Sequence, residues 1–168
     1  PGYTTSEAVI ENQLAETFHA AKGRILVSLY ASNFIRIQQV FDKAFETGKK
    51  VAVSGKSLEN IFEIGLDLGY ITVQGETIIP IKDIAKYADE EVVVILSGNQ
   101  GEPIDALEKI VRKHHKDIKI KDTDTVLITF TPSPSMEVSM YQTMNHLAKA
   151  GAKVLTSSKN VHVSGHGS

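Results

Sequence analysis

The centre of the chain reads Glu91-Val92-Val93-Val94-Ile95-Leu96-Ser97-Gly98-Asn99-Gln100-Gly101-Glu102-Pro103. Its first part is a short run of apolar, largely β-branched residues, which is typical of a strand buried inside a parallel sheet. Two glycines and an amide pair follow, and Pro103 is well suited to the first turn of a helix. This stretch therefore predicts a central strand that passes through a tight turn directly into a helix.

The same order of strand, polar turn and helix recurs along the chain. Apolar runs predict strands at residues 25–30, 51–55, 91–96, 125–130 and 153–158, with a short edge strand at 77–81. Helices are predicted at residues 4–21, 32–48, 57–69, 103–111 and 133–150, with a weak helical turn at 84–87. Such alternation predicts a doubly wound α/β fold of Rossmann-like type, in which helices cover both faces of a mainly parallel sheet.

Residue spacing within the predicted helices also indicates caps and buried faces. Asn33, with Ser32, and Ser57 are expected to cap the second and third helices, since Ser and Asn accept hydrogen bonds from free amides of the first turn. The apolar residues at helical spacing are expected to face inward. In the first three helices these are Val9, Leu14, Phe18, Phe34, Ile37, Val40, Phe41, Phe45, Leu58, Ile61, Phe62, Ile64 and Leu68.

Composition limits the classes of function. The chain has 168 residues, a length typical of one domain, and its formal net charge of −2 provides no overall basic field for nucleic acid. It contains no cysteine, which fits a reducing cytoplasmic setting, and no apolar run or signal pattern that predicts a membrane association. Because the chain begins with Pro1 and stops after Gly167-Ser168, we interpret residues 1–168 as a single domain excerpted from a longer polypeptide.

The turn Ser97-Gly98-Asn99-Gln100-Gly101-Glu102 is the first candidate site. Ligands of open α/β sheets bind beyond the carboxyl ends of strands, where helix N-termini present free N–H groups. Backbone amides in this turn could form a nest for an anion. The sequence matches neither a Walker motif nor the Gly-x-Gly-x-x-Gly pattern of dinucleotide domains, and a plain turn is the alternative interpretation.

The second candidate site is the terminal stretch His162-Val163-Ser164-Gly165-His166. On a strand, residues two apart share a face, so the two imidazoles and the hydroxyl would project together. Imidazole, hydroxyl and amide groups are all donors to phosphate oxygens. A frayed tail is the alternative interpretation.

The remaining polar residues give weaker signals. Arg36 lies one turn into a helix that begins at the same edge, where its guanidinium would suit a phosphate, although a surface arginine is the alternative. His19, His114, His115 and His146 are interpreted as structural. Only His162 and His166 lie close together near the edge, and two histidines without an Asp do not make a metal centre, so no metal site is predicted in this chain.

Three segments, taken together and in this order, resemble the β-CASP domain of bacterial ribonuclease J. The resemblance extends over the whole chain, from Pro1-Gly2-Tyr3-Thr4 onward. The segments are Ala31-Ser32-Asn33-Phe34-Ile35-Arg36-Ile37-Gln38-Gln39, Ser97-Gly98-Asn99-Gln100-Gly101-Glu102-Pro103 and His162-Val163-Ser164-Gly165-His166.

In that family the domain is inserted within a metallo-β-lactamase domain, and the active site lies between the two. The resemblance implies that the lactamase domain carries the His-x-His-x-Asp-His ligands of two divalent ions, usually zinc. That motif does not occur in this chain. The family's acidic β-CASP residue would precede Pro1, and its later histidine would follow Ser168.

The resemblance also implies roles for individual residues. His166 corresponds to the catalytic histidine that contacts the scissile phosphate and stabilises charge on its oxygens. The loop from Ser97 to Glu102, with His162, Ser164 and Gly165, corresponds to the pocket for an RNA 5′-monophosphate or a nearby backbone phosphate. Arg36 is a looser assignment to the same pocket.

The function implied is that of a cytoplasmic, metal-dependent ribonuclease acting on single-stranded RNA in rRNA processing and mRNA decay. The parent would work as a 5′-to-3′ exonuclease and as an endonuclease, and it would assemble as a homo- or hetero-oligomer. This domain would clamp RNA and hydrolyse nothing alone. Two alternatives stay open: a nucleotide- or sugar-phosphate-binding module, and an inactive paralogue that serves as a scaffold.

Overall fold

Five parallel strands form one sheet in a computed structural model that describes residues 5–98 and 102–157. The strands are β1 (Ile25–Ser28), β2 (Lys50–Ser54), β3 (Val92–Leu96), β4 (Thr125–Ile128) and β5 (Lys153–Thr156). They pair in the order β2-β3-β1-β4-β5, with Val27 opposite Ile95 on one side and Leu127 on the other. All five strands were predicted; β1 to β4 are buried over most of their length, whereas β5, at the edge of the sheet, is buried at only two of its four residues.

Helices connect the strands. They are α1 (Thr5–Ala20), α2 (Phe34–Glu46), α3 (Lys56–Asp67), α4 (Pro103–Val111) and α5 (Glu137–Lys149), with short 3₁₀ turns at Ile81–Lys86, Asp89–Glu91 and Pro134–Met136. Within residues 5–98 and 102–157, no helix is long and apolar enough to cross a membrane. Asn33 caps α2 as predicted, since its Oδ1 accepts a hydrogen bond of 3.0 Å from the amide of Arg36.

The sheet separates two hydrophobic clusters. Side chains alternate across each strand, so Val93 and Ile95 pack on one face while Val94 and Leu96 pack on the other. Helices α1, α2 and α3 cover the first face, and α4 and α5 cover the second. The domain is therefore a doubly wound α/β fold, as the alternation of strands and helices predicts.

The predicted edge strand at residues 77–81 is not formed. Val51 makes an isolated parallel bridge with Ile78, in which its amide donates to Thr77 and its carbonyl accepts from Ile79. Pro80 follows at once and has no N–H to donate, so the ladder cannot continue. The chain turns into the 3₁₀ segment Ile81–Lys86 at that point, which confirms the weak helical turn.

Several details of the predicted helices are wrong. Ser57 lies inside α3, because Gly55 occupies the N-cap position and supplies no side chain. The buried residues of α3 are Leu58, Phe62 and Gly65. They form a narrow stripe along one face of the helix, and Ile64 lies outside that stripe. Four residues expected to face inward are in fact about half exposed or more: Val9, Phe45, Ile64 and Leu68.

A buried ion pair fastens the amino-terminal edge of the sheet. Arg24, just before β1, donates to both carboxylate oxygens of Asp124, just before β4, at 2.9 and 2.7 Å. The side chain of Asp124 is fully buried and also accepts from the amide of Lys121 at 2.8 Å. The pair and its backbone partners thus hold the starts of two neighbouring strands together.

Candidate phosphate-binding edge of the sheet

The carboxyl ends of all five strands meet at one edge, since the sheet is entirely parallel. After β2 the chain passes to α3 on one face, and after β3 it passes to α4 on the other. Neighbouring strands whose connections leave in opposite directions open a crevice between them, which is where ligands of such sheets bind. The same rule applies on both sides of β1, which leads to α2 on the first face while its neighbours β3 and β4 lead to α4 and α5 on the second. The crevice between β2 and β3 is therefore one of the candidate sites at this edge.

The predicted site residues fall partly outside the described ranges. Ser97, Gly98, Glu102 and Arg36 are described. The others lie outside residues 5–98 and 102–157, and their predicted roles stay predictions: Asn99, Gln100, Gly101, His162, Ser164, Gly165 and His166.

The turn after β3 closes tightly onto α4. The amide of Gly98 donates to the carbonyl of Glu102 at 2.8 Å, so the two ends of the turn are hydrogen-bonded to each other. A Cβ atom at Gly98 would lie 2.3 Å from the Cβ of Asp105, which explains why glycine is needed there. Pro103 opens α4 as predicted, and its carbonyl accepts from the Ser28 hydroxyl at 3.2 Å.

Ser97 stands apart from the other buried polar residues. It is 2% exposed, and its Oγ atom has no hydrogen-bond partner within the described part of the chain. Most buried hydroxyls are hydrogen-bonded, because an unpaired one costs about 1–3 kcal/mol. The unpaired hydroxyl at the carboxyl end of β3 keeps Ser97 as a candidate site residue.

Arg36 is buried rather than a surface residue. Its guanidinium donates to Glu7 at 3.0 Å, to the carbonyl of Thr129 at 2.6 Å and to Gln39 at 2.9 Å. Burial lowers the pKa of Arg36, and the nearby Glu7 carboxylate opposes that shift. These contacts favour a structural role, in which Arg36 joins α1 and α2 to the end of β4, and phosphate binding by Arg36 stays a prediction.

A cleft of about 520 Å³ opens at this edge beside β2 and β3. Its walls include Ser54, Ser97 and Gly98 at strand ends, Lys56 at the start of α3, and His115 and Lys116 after α4. Our interpretation of His115 as a structural residue near a helix end missed this cleft. A signal was available in Ser54 and Gly55 at the end of the predicted strand 51–55, because polar turns after parallel strands meet at one edge of the sheet.

The ring of His115 is held in one orientation. Its Nδ1 accepts hydrogen bonds from the amides of Asp117 and Ile118, each at 3.1 Å, so the neutral ring carries its proton on Nε2. Nε2 lies 3.5 Å from the Ser54 hydroxyl. Burial lowers the pKa of His115, an effect that Asp117 opposes and that Lys109 and Lys116 reinforce. His115 is thus a neutral N–H donor at neutral pH.

The described side chains do not suit a metal ion. Within residues 5–98 and 102–157, no group of three or more His, Cys, Asp or Glu side chains could hold one. The polar groups at this edge include hydroxyls, imidazoles and lysines, which can donate hydrogen bonds to an anion, together with the carboxylates of Glu59 and Asp117. The fold and this edge define a doubly wound α/β domain with a polar cleft at its carboxyl edge.

Comparison with known families identifies the group. Residues 22–147 match the model of the family described as "Ribonuclease J, beta-CASP domain". The chain belongs to this family, which confirms the resemblance deduced from the three segments.

Similarity to individual curated proteins agrees with the family match. The chain is 42% identical over 168 residues to ribonuclease J2 of Bacillus subtilis, covering 100% of this chain and 30% of the relative. Ribonuclease J 2 of Staphylococcus saprophyticus is 44% identical over 167 residues, with 99% of this chain and 30% of the relative covered. Ribonuclease J 2 of Staphylococcus aureus is 42% identical over the same shares. The chain therefore spans about 30% of the length of these relatives.

Proposed function

We propose that this chain is the RNA-binding β-CASP domain of a metal-dependent ribonuclease that hydrolyses phosphodiester bonds in single-stranded RNA. The observation that carries the proposal is the family match over residues 22–147, supported by relatives named ribonuclease J2. The parent protein works both as a 5′-to-3′ exonuclease and as an endonuclease, and it acts in the cytoplasm in rRNA processing and mRNA decay.

The proposed site uses this domain as one wall. The turn from Ser97 to Glu102, together with His162, Ser164 and Gly165, binds the 5′-monophosphate or an adjacent backbone phosphate. His166 donates to the scissile phosphate, where a preorganised donor is most effective as negative charge develops on the oxygens. The unpaired Ser97 hydroxyl and the hydrogen bond from the Gly98 amide to the Glu102 carbonyl support a phosphate at this edge.

Metal ions belong, in this proposal, to a companion metallo-β-lactamase domain of the longer protein. The described side chains do not form a metal site, so we assign no step of metal chemistry to them. When bound, two divalent ions, with zinc the expected metal, would supply the activated water. The roles left to this chain are to bind the strand, orient it and stabilise charge on the phosphate.

His166→Ala in the full-length parent tests the catalytic assignment. Loss of a transition-state donor should lower kcat on a 5′-monophosphorylated single-stranded RNA by about 100-fold or more. His146→Ala is the matched control, since His146 is exposed and bonds to the Gln142 carbonyl within its own helix. Unchanged turnover in the folded His166→Ala protein would instead identify the chain as a scaffold subunit or a binding module.

The isolated 168-residue chain should cleave no RNA, with or without added zinc or manganese. The physical reason is that binding and charge stabilisation alone supply no activated nucleophile. Metal-dependent cleavage by the purified chain, at a rate near that of the full-length protein, would disprove this division of labour.

A further inference from the structure

The cleft beside β2 and β3 contains donors that the proposed RNA pocket does not use. We propose that it is a second anion site, which binds the phosphate group of a nucleotide through His115, Lys56 and Lys116 and adjoins the proposed RNA pocket at Ser97. Three observations support it: the fixed tautomer of His115, the unpaired hydroxyl of Ser97 on the shared wall, and two lysines that form no ion pair within the described part of the chain.

His115 supplies a directed donor. The backbone amides of Asp117 and Ile118 both donate to its Nδ1, which leaves Nε2 as the protonated nitrogen. At 3.5 Å from the Ser54 oxygen, Nε2 is at the outer limit of a hydrogen bond, well beyond the usual 2.7–3.2 Å. A phosphate oxygen could therefore provide a closer acceptor than the protein does.

Ser97 and the start of α3 add donors from the opposite wall. Helix α3 begins at Lys56, and its N-cap residue Gly55 makes no side-chain hydrogen bond to the first turn. A helix N-terminus carries partial positive charge and attracts anions, but alone it does not identify a site. The second observation is Ser97, which lines the same cleft and whose buried Oγ has no hydrogen-bond partner within residues 5–98 and 102–157.

The walls carry both signs of charge. Lys56, Lys109 and Lys116 line the cleft together with Glu59 and Asp117, and the remaining titratable residues of the walls are His114 and His115. Lys109 lies 3.8 Å from Asp105, whereas Lys56 and Lys116 have no ion pair within the described part of the chain. The net charge of the walls is therefore small, and an anion in the cleft depends on the individual ammonium groups of Lys56 and Lys116.

The size of the cleft suits more than a bare phosphate. Its volume of about 520 Å³ lies within the roughly 300–1,000 Å³ range of small-molecule sites. The shared ligand chemistry is a nucleotide phosphate, supplied either by a free mononucleotide or by a strand of bound RNA. The second source rests on the proposed nuclease function, whereas the first does not.

Amide chemical shifts of the ¹⁵N-labelled 168-residue chain test the proposal. Titration with AMP, and separately with a short single-stranded RNA, should shift the amides of Gly55, Lys56, Ser97 and Lys116. Inorganic phosphate serves as the minimal probe. If AMP shifts these amides, a free nucleotide occupies the cleft, whereas shifts with RNA alone identify the strand as the source.

Two variants probe the donors. Lys56→Gln/Lys116→Gln should weaken binding at least about tenfold, because it removes two charged donors to the phosphate. His115→Asn should weaken it similarly, since Asn keeps an acceptor near the Nδ1 position and loses the Nε2 donor. The matched control is Lys50→Gln/Lys153→Gln, which removes equal charge at the first residues of β2 and β5, on the opposite edge.

The results separate this site from the nuclease proposal. If binding is lost in the cleft variants and kept in the control, the proposal that the cleft is an anion site is supported. This result does not depend on the effect of His166→Ala on RNA cleavage. The absence of cleft shifts with all three probes would overturn the proposal. Equal affinity in the cleft variants and the wild type would also overturn it, even if the parent is an active ribonuclease.

Discussion

At the scale of single residues, the carboxyl edge of the sheet depends on a glycine that lets two backbone segments approach closely and on a histidine ring held in one orientation. Gly55 has φ +115°, and a Cβ atom there would lie 2.3 Å from the carbonyl oxygen of Ser97. Gly48 also has a positive φ, +72°, but a Cβ would meet nothing within 4 Å. Substituting each glycine by alanine therefore distinguishes the cost of backbone strain, which both positions share, from the cost of steric overlap, which only Gly55 has.

Gly55→Ala should lower the free energy of unfolding by about 3 kcal/mol or more, since strain and overlap with a backbone atom add together. Gly48→Ala should cost only about 1–2 kcal/mol, the penalty of the left-handed conformation. Urea denaturation of both variants measures the difference. Equal losses would show that Gly55 does not hold the end of β3 close to β2.

Titration of His115 should make the free energy of unfolding of the domain depend on pH. Its pKa in the folded chain is lowered from the ordinary 6.5, chiefly by burial, so the unfolded chain binds the extra proton first. Stability rises with pH wherever the unfolded state holds more protons. The contribution of neutral His115 is therefore complete above pH 6.5 and is lost as the pH falls from 6.5 through the lowered folded value.

The difference in unfolding free energy between the wild type and His115→Asn should therefore shrink as the pH falls below about 6.5. The measurement is urea denaturation of both proteins at a series of pH values. A difference that stays constant across this window would show that His115 titrates alike in the folded and unfolded chains.

At the scale of secondary-structure elements, features set by neighbouring residues could be predicted from the sequence, whereas contacts between distant residues could not. The β-branched run of Val92–Leu96 identifies its own strand, and Asn33 identifies its own cap, because both signals lie within a few residues. Nothing local indicates that His115 meets Ser54, 61 positions away. The same limit applies to Arg36, which finds Glu7 and Thr129 only when α1 and β4 pack together.

The ion pair between Arg24 and Asp124 allows a test of how the elements are fastened. Arg24→Met should destabilise the domain by about 3–5 kcal/mol, because it leaves a buried carboxylate without its cation. Lys86→Met, which breaks an exposed pair with Asp83, should change stability by about 1 kcal/mol at most. Urea denaturation of the two variants compares their losses of stability. A small loss for Arg24→Met would mean that water reaches the Asp124 carboxylate.

At the scale of the whole molecule, the fold class could be predicted fully and the site only in part. Alternating strands and helices predict the doubly wound architecture, and its geometry directs attention to the edge where the cleft lies. The cleft itself arises where turns from three separate parts of the chain meet: after β2, after β3 and after α4. Its donors are ordinary Ser, Lys and His residues, which carry no distinctive pattern until folding brings them together.

The buried pair of Arg24 and Asp124 lies at the opposite edge of the sheet from the cleft. Substitutions that change ligand preference at the carboxyl edge thus leave the main polar fastening of the strands untouched. The polar side chains of the turns after β2 and β3 could therefore be exchanged while the amino edge keeps the strands paired, provided that Gly55 and Gly98 are retained. Within that limit, changes at the carboxyl edge do not break the ion pair that joins the starts of β1 and β4.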